Sequence, residues 1–128
     1  IFKDFDISLW LVICVLSRYL RTWKSWSSIL DSFFNILRTK SGTTPHKHIH
    51  NFDVRKGLVN NKFSLTYYLS VGDQNCKEPG NLKVYDPEEE IKVYKGKIVI
   101  IPANRVHSSA YDGKTDRIMI GVNFYSLA

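Results

Sequence analysis

The feature that most constrains this chain is a row of short β-like runs that begins after Gly42. Strands are expected at about residues 46–52, 63–71, 81–85, 91–94, 97–102, 106–111 and 117–125. Turn residues punctuate them: Lys56-Gly57, Asn60-Asn61, Gly72-Asp73, Pro79-Gly80, Asp86-Pro87, Lys95-Gly96 and Asp112-Gly113. Short strands at this spacing predict an antiparallel barrel or sandwich. The run KIVIIP at 97–102 is almost continuously apolar, as expected of a strand buried on both faces. At 128 residues the chain has the length of one domain.

The front of the chain has a different texture. Residues 27–42, SSILDSFFNILRTKSG, predict a helix: Ser27 or Ser28 caps it, and Ile29, Leu30, Phe33, Phe34, Ile36 and Leu37 make an apolar face. Arg38 and Lys40 suit its C-terminal end, and Gly42 terminates it. The expected organisation is therefore a mostly helical segment over 1–40 and a β domain over 41–128. The apolar run at 9–16 is shorter than the roughly 20 residues of a bilayer-spanning helix. Its flanks, Lys3 outweighed by Asp4 and Asp6, are not those of a signal peptide. A membrane is not the expected partner. The chain starts at Ile1 rather than a Met, as a fragment or processed product would.

Charge and cysteine content narrow the classes further. The net charge of +6 sits mostly in residues 1–60, where nine Lys/Arg face four Asp/Glu. That balance favours anionic partners, but no basic stripe is interleaved with stacking aromatics, so nucleic acid is not expected. Cys14 and Cys76 lack metal-like spacing and read as free thiols of a reducing compartment such as the cytoplasm.

The chemistry concentrates in four histidines. His46, His48 and His50 stand at alternate positions in GTTPHKHIH, so an extended chain aims all three at one side. His107 follows a distant apolar run, in PANRVH. Together they suggest a metal site, against the ordinary reading of a hydrogen-bonded core histidine and a solvated loop. Arg117 opens the apolar run RIMIGVNF, where a buried guanidinium requires a partner. That partner is either the carboxylate of a small ligand or an internal carboxylate such as Asp112 or Asp116. Tyr67 and Tyr68 in LTYYLS point to opposite faces, so one of them reaches the same interior.

In this order, HxH, LTYYLS, GNLKVYDPEEE, GKIVIIPANRVHS and DRIMIGVNF, the residues from 42 to 128 resemble the 2-oxoglutarate/Fe(II)-dependent oxygenases. The likeness is greatest to the short members found in phage and marine microbial genomes. The resemblance implies a double-stranded β-helix, Fe(II) as metal, 2-oxoglutarate as small-molecule co-substrate and hydroxylation of a further substrate. It implies His48 as first metal ligand, His107 as distal ligand, Arg117 as the anchor of the co-substrate carboxylate, and Tyr67 or Tyr68 beside it. His46 is expected at the rim. The family has Asp or Glu where this chain has His50. The third ligand is then His50, or Asp53 from the following turn, or the site has lost its iron chemistry; a three-imidazole site also suits Zn or Mn. The runner-up is a cupin, whose G-x5-H-x-H pattern is met by Gly42, His48 and His50, and whose second motif is met by Gly96, Pro102 and His107 with Asn104 in place of Gly. A jelly-roll binding module without metal is a third reading. Arg117 favours the oxygenase. A barrel of this kind has eight strands and seven are predicted, so residues 9–16 are expected to supply another unless the barrel is incomplete.

Overall fold

The structure, a computed structural model, describes residues 26–127. Eight strands are found among them: β1 (Trp26–Leu37), β2 (Ser41–His46), β3 (Lys62–Ser70), β4 (Leu82–Val84), β5 (Glu89–Ile91), β6 (Ile98–Pro102), β7 (His107–Tyr111) and β8 (Arg117–Leu127). A short helix α1 (Asn51–Arg55) and a 3-10 turn (Val59–Asn61) join β2 to β3. The strands form two antiparallel four-stranded sheets, ordered β1-β8-β3-β6 and β2-β7-β4-β5. The chain steps between the sheets at every connection except the β4–β5 hairpin. This is the double-stranded β-helix, or jelly roll.

The predicted helix over 27–42 is a strand through residue 37. β1 pairs with β8 along almost its whole length, from Trp26 opposite Leu127 to Leu37 opposite Arg117. Its apolar residues fit a period of two as well as a helical one: Phe34 and Ile36 face outward, 44% and 52% exposed, whereas Phe33, Asn35 and Leu37 line the interior. Tertiary pairing decides between such periods, because an isolated helix of this length is only marginally stable. β1 therefore supplies the eighth strand and carries the β domain upstream of residue 41. The run at 9–16 lies outside the described residues, as does Cys14. Cys76 is a free thiol.

Two other expectations are corrected. The strand predicted at 46–52 ends at His46, and the chain turns into α1 five residues later. β6, expected to be buried on both faces, is the last strand of its sheet with β3 as its sole ladder partner; Ile98 and Ile100 are 45% and 51% exposed.

Between the sheets Tyr68, Leu82, Val84, Val93 and Val99 form a buried cluster. On the opposite face of β3 and β8, Leu65, Ile120, Val122 and Phe124 form a second one, joined by Phe63, Tyr67 and Leu69. The register dictates this division, since Leu65 lies opposite both Val122 and Ile100. Tyr67 and Tyr68 accordingly point to opposite sides of one strand.

Candidate metal centre

β2 and β7 pair so that His46 lies directly opposite His107. Beyond β2 the chain stays extended, and the His48 N–H donates to the Ala103 carbonyl at 2.8 Å. Alternation then returns His48 to the same side as His46. The ring nitrogens of His46, His48 and His107 that can ligate a metal lie within 4.8 Å of one another. The three rings form a nearly equilateral triangle, with centroids 4.4 Å apart for His46 and His107, 5.1 Å for His48 and His107, and 5.1 Å for His46 and His48.

The outer nitrogens fix the tautomers. His46 Nδ1–H donates to the Thr44 carbonyl at 2.7 Å, and His107 Nδ1–H donates to the Arg105 carbonyl at 3.0 Å. A carbonyl only accepts, so both rings carry their proton on Nδ1 and present the Nε2 lone pair inward. Burial lowers the His107 pKa; the Arg105 hydrogen bond opposes this and His46 adds to it. His107 is therefore held neutral, the form in which imidazole ligates. His48 Nε2 and His107 Nε2 are 3.3 Å apart. Two nitrogens at that separation can both reach one ion at about 2.0–2.1 Å.

His50 and Asp53, the residues expected to complete the ligand set, are not part of this cluster. The chain leaves its extended path at His50, whose exposed side chain stands at the start of α1. Asp53 is 1% exposed, but its carboxylate is already committed. It accepts from the His50 backbone N–H at 2.7 Å, from Lys62 Nζ at 2.9 Å and from the Tyr125 hydroxyl. Burial pushes this carboxyl up, but those hydrogen bonds outweigh it and hold it down at about 2. Tyr125 is in turn pushed up to about 12 by burial and by the carboxylate beside it. The cluster pins α1, and with it the end of the segment that carries His48, to the end of β8.

Arg117 lies in the same cavity as the three histidines, a space of about 50 Å³ that also touches Tyr68 and Asn35. Its side chain is 1% exposed, and its guanidinium lies over the Tyr68 ring, 5.0 Å from the centroid. Burial lowers its pKa, partly offset by Tyr68 and Tyr111. Its Nε–H has no hydrogen-bond partner. The internal carboxylate expected as an alternative is absent: Asp116 pairs with Arg38 at 3.3 Å on the surface, and no ion pair to Arg117 occurs among the described residues. Gly80 makes room for the guanidinium stem, since a Cβ there would lie 2.5 Å from Arg117 Cδ and Nε. Of the two tyrosines, Tyr68 is in the cavity and Tyr67 packs on the outer cluster.

Sequence reasoning missed three lining residues. His46 was expected at the rim; its place follows from β2 ending on it. Phe33, stacked on His48 at 5.8 Å, and Asn35 both belong to the strand read as a helix. Their signal was the alternation of 33, 35 and 37 against 34 and 36. Phe33 fits because Gly121 faces it: a Cβ there would lie 2.2 Å from the ring.

The double-stranded β-helix is a fold that this chain shares with solved oxygenases and cupins. Among solved structures, the chain is similar to a viral collagen prolyl hydroxylase of Paramecium bursaria Chlorella virus-1, in its 2OG complex, with a TM-score of 0.68, 12% identity, and coverage of 91% of this chain and 72% of that one. It is similar to a 2OG-Fe(II) oxygenase family oxidoreductase of Burkholderia pseudomallei, with a TM-score of 0.60, 13% identity, and coverage of 77% of this chain and 43% of that one. It is also similar to a cupin protein of Bacteroides fragilis, with a TM-score of 0.51, 11% identity, and coverage of 79% and 75%. The aligned part thus spans under half the length of the Burkholderia protein. No protein-family model and no curated protein sequence matches the chain. At these identities the likeness establishes the fold. Among the described residues no helix is long and apolar enough to cross a membrane.

Proposed function

We propose that this chain is a 2-oxoglutarate- and Fe(II)-dependent oxygenase in which His46, His48 and His107 hold the metal and Arg117 anchors the co-substrate. The observation that carries the reading is Arg117, a buried cation with an unpartnered N–H in the same cavity as three convergent imidazoles. A buried guanidinium without a carboxylate is costly, and a bidentate carboxylate is its natural complement. When bound, the metal and 2-oxoglutarate would supply the oxidising chemistry with O2 as the oxidant: one oxygen atom would enter succinate as 2-oxoglutarate loses CO2, and the other would be inserted into a C–H bond.

The chain's own residues do the rest. The Thr44 and Arg105 carbonyls fix the imidazole tautomers. Tyr68 supports the guanidinium face, so Arg117 keeps its orientation before a ligand arrives. Leu82, Ile101 and Met119 line the cavity with apolar surface and keep it dry, which strengthens the ion pair that a carboxylate would make. The test is succinate formation from 2-oxoglutarate. It should require Fe(II) and fall at least about a hundredfold in Arg117→Met, the worth of a buried charge-assisted pair. No succinate with or without Fe(II) would overturn the proposal.

One observation favours a second reading. The cluster contains no carboxylate, and three neutral imidazoles leave a divalent ion with its full charge. A cupin-type metal protein that makes no use of 2-oxoglutarate fits that donor set. It predicts tight metal binding that Arg117→Met does not alter, and no succinate.

A further inference from the structure

β1 lines the cavity in a set order. Phe33 lies against His48, Leu37 pairs in register with Arg117, and Asn35 stands two residues from each. Alternate residues of a strand share a face and lie about 6.8 Å apart. Asn35 therefore occupies the middle of the wall that runs from the imidazoles to the guanidinium. Its Oδ1 is buried and has no hydrogen-bond partner. Three buried side-chain polar atoms lack a partner among the described residues, and two of them, Asn35 Oδ1 and Arg117 Nε, line this cavity.

The two atoms have opposite needs. Arg117 Nε–H is a donor and suits a carboxylate; Asn35 Oδ1 accepts and requires an N–H or O–H. A buried acceptor left unsatisfied is destabilising, so a strand that keeps one facing an apolar-walled cavity points to a ligand group that satisfies it. 2-Oxoglutarate stretched between the histidines and Arg117 would put methylenes at this level, and a methylene offers no donor.

We propose that Asn35 is a specificity-determining residue that accepts a hydrogen bond from an N–H or O–H carried midway along a small carboxylate ligand held between the histidines and Arg117. The inference rests on the functional reading above and sharpens it. The ligand class at this site then widens from 2-oxoglutarate to short oxo-acids of the same length that bear an amide or hydroxyl in the middle, and these bind more tightly than 2-oxoglutarate itself.

The test uses the full chain loaded with Zn(II), which binds without redox chemistry. Two probes are titrated by calorimetry: 2-oxoglutarate, and N-oxalylglycine, in which an N–H replaces one methylene of the same chain. Wild type is compared with Asn35→Leu, and with Asn35→Val should the leucine variant not fold; an unchanged Zn(II) affinity reports an intact site. The preference for N-oxalylglycine over 2-oxoglutarate should fall about fivefold to tenfold on removing Asn35, the effect of one neutral hydrogen bond. The 2-oxoglutarate affinity should stay within about twofold, since that ligand makes no bond to be lost. If both acids bind and the variant keeps the wild-type preference, the role of Asn35 is overturned and the functional reading stands. If neither acid binds the Zn(II)-loaded protein, the inference and the 2-oxoglutarate reading fall together.

Discussion

Among the described residues two cationic side chains, Lys62 and Arg117, are buried in this barrel, and they are treated in opposite ways. Lys62 is 3% exposed and meets Asp53 at 2.9 Å, with Tyr125 and a backbone N–H completing the carboxylate's bonds. Arg117 is 1% exposed and meets an aromatic face, with one N–H unpartnered. The first arrangement is closed within the described residues; the second is open to a ligand. Burial by itself therefore says little about function. What separates the two charges is whether the described residues supply a carboxylate partner.

The comparison is broken most forcefully at the closed site. Asp53→Ala should cost about 3–5 kcal/mol of stability by leaving Lys62 buried without a counter-charge, read as a fall in the urea midpoint. Arg117→Met should not destabilise the apo protein, because no internal ion pair is lost. An equal loss in both variants would show that the two cations are alike.

The ligand set offers the next largest effect. His46→Ala should weaken metal binding at least about a hundredfold, whereas His50→Ala should stay within about twofold, because only the first removes a nitrogen from the cluster. Equilibrium dialysis with Zn(II) reads both. Equal losses would return His50 to the site.

A smaller effect sharpens the closed side. Asp53 is lowered from 3.8 to about 2, so the folded state favours its carboxylate. Its contribution is fully present above about pH 4 and is lost as pH falls through about 2, roughly 2 kcal/mol in all. Acid unfolding of wild type should show that loss, and Asp53→Asn should lack it. The smallest effect is on the open side: Asn35→Leu should raise the apo melting temperature by a few degrees, as a buried acceptor without a partner is removed.

How much of this was legible in the residues depended on the type of signal. Strands bounded by glycine and proline turns were readable, and five of the seven predicted runs fall on observed strands; 46–52 and 91–94 each touch one only at their first residue, His46 and Ile91. Arg117 and His107 stood out because each lies beside an apolar run, where a polar residue demands an explanation. β1 was not readable, because Phe33, Phe34, Ile36 and Leu37 satisfy two periods at once and only pairing with β8 chooses between them. That error hid Phe33 and Asn35. Which HxH pair faces His107 was not legible for a related reason: HKHIH offers two, and His46 rather than His50 stands with His48 there because β2 ends on His46 and α1 begins at Asn51. Asp53 could not be excluded from sequence either, since its partners Lys62 and Tyr125 lie nine and 72 positions away.

The central claim is that Arg117 awaits the carboxylate of a ligand bound at the histidines. Its most direct test is calorimetric titration of 2-oxoglutarate into the metal-loaded full chain, beside Arg117→Met with its metal affinity checked. The account predicts binding to the wild type and at least about a hundredfold weaker binding to the variant. Equal affinity in the two, or no binding to a metal-loaded wild type, would contradict it.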